Sequence, residues 1–182
     1  VRSYLTDTHS KMLIKKWSNV IPSTELNTIF DKLKKSKTVE NDRALFNGRS
    51  SFSGEDSDIL SPLNLKERLQ EKVDEYGIAL GMPTLTIINS WFAIQDMGGI
   101  LKDHYHASSF ISAVLYVNAD ENSNPLVFNV NNHKLELSPA TGDLIMFPSW
   151  YKHGSDGKSN MTKDRTVISF NTCLEVVDPA SP

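Results

Sequence analysis

The 182-residue chain has little of what membrane, secreted and nucleic-acid-binding proteins need. No apolar stretch approaches the roughly 20 residues of a membrane helix, and the opening residues lack the apolar core of a secretory signal. The single cysteine, Cys173, excludes an intrachain disulfide framework and is typical of a reducing compartment. A net charge of −3 offers no basic footprint for nucleic acid. We therefore expect a soluble, cytoplasmic protein that binds no membrane and shows no strong signal for nucleic-acid binding.

Two stretches within the first 83 residues have helical periodicity. The apolar residues of "ELNTIFDKL" recur at the spacing of one helical face and predict a helix over about 23–36. A second apolar stripe predicts another helix over about 63–80. The polar stretch 41–60 between them has no periodicity and predicts a long loop, which we expect to form part of a cavity rim together with the loop 118–125.

From Thr84 onward the hydrophobic period changes to the period of two that is typical of strands. Eight short runs of strand-forming residues follow, separated by Gly, Pro, Asn and Asp. This pattern predicts a mainly β fold with flanking helices, in which a double-sheet barrel of jelly-roll type has the helices covering one sheet. The length fits a single domain, 1–182, with a helical N-terminal support at 1–83, a jelly-roll core with the functional site at 84–172, and a C-terminal tail at 173–182.

Two histidines stand two positions apart in "KDHYH". On a strand His104 and His106 would share one face, while Asp103 and Tyr105 would point to the other. Two imidazoles on one face can chelate a metal, and neutral imidazole suits Fe, Zn, Cu or Ni. An H-x-H pattern alone is weak evidence, so a third ligand has to decide whether there is a site.

His153, in "FPSWYKHGS", is the candidate for the third ligand. Its short strand can return beside the first one in a jelly roll, which would bring His153 to His104 and His106. The other two histidines, His9 and His133, have no such partners, and we interpret both as ordinary surface residues.

A single arginine lies in the last strand run, "DRTVISFN". Alternation places Arg165 and Ser169 on one face and Ile168 and Phe170 on the other, which can pack on the helices. Arg165 would then point into the barrel, where a buried guanidinium needs an anion. Either the carboxylate of a ligand or an internal salt bridge could supply that anion.

The alternation of side chains along the predicted strands also indicates three weaker candidates for ligand binding. Asn89 could hydrogen-bond a co-substrate or cap a strand end, and Tyr116 could offer its hydroxyl to the same carboxylate or pack as a core aromatic. Ser169, on the face of Arg165, could support the guanidinium or its ligand. Trp91 and Trp150 are interpreted as packing anchors.

The motifs quoted above, together with "NSW" (89–91), resemble the 2-oxoglutarate- and Fe(II)-dependent oxygenases. They resemble more closely a largely uncharacterised branch of these oxygenases that has an H-x-H…H metal motif. The resemblance covers roughly residues 84–172. It implies a double-stranded β-helix of the jelly-roll, cupin-like type, with Fe(II), 2-oxoglutarate and O2 as cofactor and co-substrates, and hydroxylation of an unknown substrate. The blocks that carry it are "NSW" (89–91), "H-x-H" (104–106), "FPSW" (147–150) with the following His153, and "R-x-x-I-S-F-N" (165–171).

The resemblance implies that His104, His106 and His153 hold the iron and that Arg165 holds the distal carboxylate of 2-oxoglutarate. Most members of the superfamily have H-x-D or H-x-E where this chain has His106 as the second ligand. Two alternatives therefore stay open: a three-histidine metal dioxygenase that does not use 2-oxoglutarate, and a non-catalytic jelly-roll module whose metal is a structural clip.

Overall fold

The computed structural model describes residues 13–40, 44–54 and 56–175. His9 and most of the predicted tail lie outside the described residues. The helices are α1 (Ser23–Lys34) and α2 (Lys66–Ala79), each within three residues of the predicted ends. The strands are β1 (Lys15–Trp17), β2 (Val39–Glu40), β3 (Leu45–Ser50), β4 (Leu85–Leu101), β5 (Ile111–Asn118), β6 (Leu126–Val130), β7 (His133–Leu137), β8 (Leu144–Pro148), β9 (Lys152–Gly154) and β10 (Arg165–Leu174).

The strands form two antiparallel sheets that face each other across a cavity. The larger sheet has the order β1-β8-β5-β10-β4-β3-β2, and the smaller one has the order β7-β6-β9. The sheets do not close into a continuous barrel. Beyond the end of β4, His104 pairs with His153 of β9 in an isolated antiparallel bridge, so the two sheets meet at two of the three candidate metal ligands.

Both helices pack on the outer face of the larger sheet, as the alternation in β10 predicts. Ile168 and Phe170 are fully buried there, together with Phe92 and Ile94 of β4. Burying a side chain of this size contributes about 1.5–3 kcal/mol. The helical side of this core is the predicted apolar stripe of each helix, with Leu26, Ile29 and Leu33 from α1 and Leu69, Val73 and Tyr76 from α2.

The predicted loop 41–60 contains a strand that the sequence pattern hides. β3 pairs with β4, and its register shifts between Phe46 and Gly48. Asn47 has a positive φ of 51° at this bulge. A Cβ added to Gly48 would lie 2.8 Å from the carbonyl oxygen of Ile94, so only glycine allows the close approach. The bulge interrupts the period of two, which is why the sequence reads as a loop.

Two of the eight predicted strand runs form one strand, so the region of the predicted core holds seven strands, β4 to β10. β4 runs from Leu85 to Leu101 and continues through a wide bulge after Gln95. The side-chain amide of Asn160 donates to the carbonyl oxygens of Gln95 (3.2 Å) and Asp96 (3.1 Å). The buried side chain of Asn160, distant in sequence, thus replaces the backbone hydrogen bonds of the sheet at the point where the sequence predicts a break between two strands.

Among the described residues, neither helix is long and apolar enough to span a membrane.

Candidate metal centre

Three imidazoles converge where the two sheets meet. One ring nitrogen each of His104, His106 and His153 can be chosen so that the three lie within 4.8 Å of one another. The prediction that the H-x-H motif lies inside a strand is wrong, because β4 ends at Leu101 and His104 takes part only in the isolated bridge. The predicted alternation nevertheless holds, since Tyr105 between the two histidines is 64% exposed.

Backbone hydrogen bonds fix the three positions. His104 and His153 exchange two N–H to carbonyl bonds of 2.9 Å, and the N–H of His106 donates to the carbonyl of Ser149 at 2.9 Å. The motif therefore needs no strand to hold its two imidazoles, because the bridge fixes His104 against β9 and the single bond fixes His106 against Ser149, directly after β8.

The tautomers of two rings follow from their neighbours. Nδ1 of His104 lies 2.8 Å from the carbonyl oxygen of Lys102, and Nδ1 of His153 lies 2.9 Å from that of Tyr151. A carbonyl oxygen only accepts, so in both rings Nδ1 carries the proton and donates. The Nε2 lone pair of each ring is therefore available to a metal, in the arrangement that metal-binding histidines usually have.

The environment keeps two of the three rings, His106 and His153, neutral. Burial, assisted by the charge of His104, lowers the pKa of His106 to about 4. Burial, again together with the charge of His104, holds the pKa of His153 well below its usual value. Neutral imidazole is the form that binds a metal, so His106 and His153 are in the binding form at pH 7. A set of three imidazoles could hold Fe, Zn, Cu or Ni.

The three histidines line a cavity of about 620 Å³ between the sheets. All four predicted ligand-binding residues line the same cavity, namely Asn89, Tyr116, Arg165 and Ser169. The segment 41–60 contributes Ala44, Leu45 and Phe52 to the lining, as predicted for a rim, whereas no residue of 118–125 does. His133 is exposed at the start of β7, away from this lining.

Arg165 is a buried cation without a buried acid. It is 5% exposed, and none of the ion pairs among the described residues includes it. Nε of Arg165 has no hydrogen-bond partner in the described part of the chain, and the guanidinium carbon lies 5.2 Å from the centre of the Tyr116 ring. Burial lowers the pKa of Arg165, but an arginine stays charged in proteins. The internal salt bridge that the sequence left open is not found in the described residues.

Other buried polar atoms on this wall also lack partners. Oδ1 of Asn89 and the hydroxyl of Tyr116 form no hydrogen bond within the described residues. Ser169 faces the cavity from β10, where it pairs with Trp91 of β4 and Val114 of β5. Gln95 lines the cavity as well, and its Nε2 has no hydrogen-bond partner among the residues that the structure describes. The sequence analysis missed Gln95, although its parity with Asn89 along β4 was the available signal.

The two tryptophans do not behave as predicted. Trp91 lines the cavity, with its ring centre 5.8 Å from that of His106 and 5.1 Å from that of Phe52. Trp150 is 57% exposed and is no core anchor. Their residue type suggested packing, but Trp91 shares its strand parity with Asn89 and faces the ligand cavity.

Comparison with known families agrees with the sequence motifs. Residues 89–138 match the family model described as "Putative 2OG-Fe(II) oxygenase". The matched segment includes His104 and His106 but ends before His153 and Arg165. The resemblance to the 2-oxoglutarate- and Fe(II)-dependent oxygenases is confirmed. No curated protein sequence matches the chain.

Several solved structures share the fold at low sequence identity. HygX from Streptomyces hygroscopicus, with nickel and 2-oxoglutarate bound, has a TM-score of 0.66 at 13% identity, over 94% of this chain and 88% of that chain. The epimerase SnoN from nogalamycin biosynthesis has a TM-score of 0.70 at 10% identity, over 91% and 78%. A Pseudomonas putida prolyl-4-hydroxylase has a TM-score of 0.59 at 14% identity, over 91% and 94%. The predicted double-stranded β-helix is thereby confirmed.

Proposed function

We propose that this protein is a 2-oxoglutarate- and Fe(II)-dependent oxygenase that hydroxylates a substrate still to be identified. In that reaction one oxygen atom of O2 enters a substrate C–H bond and the other enters the succinate formed from 2-oxoglutarate, with release of CO2. The proposal rests on the family match, the fold and, above all, the chemistry of the cavity wall.

His104, His106 and His153 would hold the iron through their ring nitrogens. Nδ1 of His104 and of His153 donates to a backbone carbonyl, so their Nε2 atoms carry no proton and would be free to bind the metal. When bound, Fe(II) supplies the activation of O2. Three neutral imidazoles leave the metal with one more positive charge than two imidazoles and a carboxylate, which favours a dianionic co-substrate electrostatically.

The buried, unpaired guanidinium of Arg165 is the observation that carries the proposal. A buried charge without a partner costs several kcal/mol, so a fold that keeps one on a cavity wall implies an anion from outside the chain. The planar fork of arginine suits a carboxylate. Arg165 would bind the carboxylate of 2-oxoglutarate that lies far from the iron.

Tyr116, Asn89 and Ser169 would complete the co-substrate pocket. The Tyr116 hydroxyl, buried beside the Arg165 guanidinium, is suited to donate to the same carboxylate. Asn89 and Ser169 would hydrogen-bond the co-substrate from β4 and β10. HygX, which shares the fold, was crystallised with nickel and 2-oxoglutarate, and this supports the same pair of ligand types here.

The domain and compartment assignments are part of the same proposal. We place the catalytic core at 84–172, the supporting segment at 1–83 and the tail at 173–182 within one domain, and we place the protein in the cytoplasm. β1 and β3 come from the supporting segment and extend the larger sheet.

Anaerobic titration of the Fe(II)-loaded protein with 2-oxoglutarate tests the function. Chelation of Fe(II) by the 2-oxo acid end should produce a weak visible charge-transfer band that saturates with 2-oxoglutarate. The His153→Ala variant should show neither tight Fe(II) binding nor the band. A wild-type protein that binds Fe(II) but develops no band and binds no 2-oxoglutarate would refute the proposal.

His106 favours one alternative, a three-histidine metal dioxygenase that does not use 2-oxoglutarate, because an imidazole stands where most of the superfamily has a carboxylate. In that enzyme Arg165 would bind an anionic substrate directly. Oxygen consumption that is independent of 2-oxoglutarate in the Fe(II)-loaded protein would select this alternative, and Fe(II) binding without any turnover would select the non-catalytic module.

A further inference from the structure

Gln95 is a buried side chain on the cavity wall whose amide is half unsatisfied. It is 1% exposed, and its Nε2 has no hydrogen-bond partner among the described residues. Its Oε1 lies 3.5 Å from Nη1 of Arg165, at the long limit of a hydrogen bond. The opposite amide orientation would turn the NH2 group of Gln95 against the guanidinium donors. The unpaired group of Gln95 is therefore a donor.

The fold holds Gln95 in place beside Arg165. The two residues are register partners in β4 and β10. Asn160 anchors the backbone carbonyl of Gln95 at 3.2 Å. A Cβ added to Gly99 would lie 2.4 Å from Cγ of Gln95, so only a glycine at this position of the bulge leaves room for the Gln95 side chain. Gln95 cannot readily withdraw its amide towards solvent.

Gln70 shows how this chain treats a glutamine with a structural role. Its Nε2 donates to the carbonyl of Leu85 (2.6 Å) and to the carboxylate of Asp74 (2.8 Å), and its Oε1 accepts from the N–H of Ile87 (3.0 Å). Gln70 is half-buried and satisfied at both ends, whereas Gln95 is more deeply buried and satisfied at neither with good geometry. A purely structural role does not account for that difference.

We infer that Gln95 binds the far carboxylate of 2-oxoglutarate through Nε2 while its Oε1 orients the guanidinium of Arg165. The inference rests on the proposed function and adds a binding residue to it. A carboxylate offers about four lone-pair sites. Nε of Arg165, the hydroxyl of Tyr116 and Nε2 of Gln95 are three buried donors without partners among the described residues, and all three residues line the same cavity. A neutral amide adds a donor there without adding a second charge that would need compensation.

Calorimetric titration of the anaerobic Fe(II)-loaded protein with 2-oxoglutarate tests this role. Gln95→Leu removes the donor and should weaken 2-oxoglutarate binding about tenfold, while Fe(II) affinity and melting temperature stay at or above the wild-type values. Gln95→Glu, which keeps the size of the side chain, pairs Arg165 internally and repels the dianion. It should weaken binding at least about a hundredfold and raise the melting temperature. Gln70→Leu is the matched control: it should lower the melting temperature and leave 2-oxoglutarate affinity unchanged.

The outcomes separate this inference from the function itself. Wild-type protein that binds no 2-oxoglutarate overturns the proposed function together with the inference. Wild-type binding that survives unchanged in Gln95→Leu or in Gln95→Glu overturns the inference alone. Loss of Fe(II) binding in parallel with 2-oxoglutarate binding in both variants shows that Gln95 supports the whole site structurally, and that result also overturns the inference.

Discussion

The two sides of the larger sheet treat their buried cations in opposite ways. On the helix side, the buried cation Lys15 has an acid, Glu75 of α2, at 2.8 Å. On the cavity side, the buried cation Arg165 has no acid among the described residues. The same strands serve both sides, so burial alone does not explain the difference. The paired Lys15 joins β1 to α2 and so helps to hold the fold together, whereas the unpaired Arg165 indicates where a ligand has to complete the structure.

Removing a large side chain from the helix side should have the largest effect on stability. Phe170→Ala deletes a fully buried ring between β10 and the helices and should cost about 3–5 kcal/mol of unfolding free energy. The folded fraction should bind Fe(II) and 2-oxoglutarate as the wild type does, because Phe170 points away from the cavity. Urea unfolding measures the loss. Phe46→Ala, at a position that is 57% exposed, is the control and should change stability by no more than about 0.5 kcal/mol.

If Phe170→Ala abolished ligand binding in protein that remains folded, the two sides of the sheet would be coupled and the comparison would fail.

Removing the cation from the cavity side should have the opposite result: it should weaken ligand binding and not reduce stability. Arg165→Leu should weaken 2-oxoglutarate binding tenfold or more, because a hydrogen bond to a charged group is worth about 1.5–3 kcal/mol. Stability of the ligand-free protein should be unchanged or higher, because the variant removes a buried charge that has no internal partner. Titration and thermal unfolding of the same variant measure both effects.

Arg68→Leu provides the control for Arg165→Leu. Arg68 lies on α2 and pairs with Glu25 at 2.7 Å, outside the cavity lining. This variant should bind 2-oxoglutarate normally. An Arg165→Leu variant with a large fall in melting temperature and intact co-substrate binding would instead assign Arg165 to the fold.

Much of this division could be read from the sequence. The alternation in "RTVISFN" correctly assigned Phe170 to the helices and Arg165 to the interior, because a strand's side chains follow its backbone strictly. The H-x-H spacing and the resemblance grouped His104 and His106 with His153, although the motif lies beyond the end of β4.

What the sequence missed depends on contacts between distant segments. The strand β3 was hidden by a bulge that only the close approach of Gly48 to β4 explains. The continuity of β4 depends on Asn160, which is 64 residues beyond Asp96. The orphaned amide of Gln95 became visible only once the positions of Arg165 and the bulge were known. The local hydrophobic pattern of a sequence indicates which face of a strand a residue occupies. It does not indicate whether the polar atoms of that residue form hydrogen bonds.

The smallest expected effect concerns the satisfied cation on the helix side. Burial alone would raise the pKa of Glu75, but hydrogen bonds from Lys15, Lys72 and Trp17 outweigh it and lower the pKa from 4.5 to about 2. A carboxyl whose pKa is depressed by folding stabilises the protein fully above its unfolded pKa and loses that contribution as the pH falls from 4.5 towards 2. Because the Glu75 side chain is 44% exposed, solvent screening limits the contribution to below about 1 kcal/mol.

Glu75→Gln should therefore be less stable than the wild type at pH 7 by less than about 1 kcal/mol, and the difference should shrink as the pH approaches 2–3. Urea unfolding at several pH values measures it, with the exposed Glu71→Gln as the control that should show little difference at any pH. The variant leaves Lys15 without a negatively charged partner, a condition that Arg165 already has. It opens no cavity and creates no anion-binding site, so 2-oxoglutarate binding should not change. If the loss of stability in Glu75→Gln stayed constant from pH 7 to pH 3, Lys15 would be stabilised by packing and not by the charge of Glu75. The two cations, Lys15 and Arg165, would then differ less than their contacts indicate.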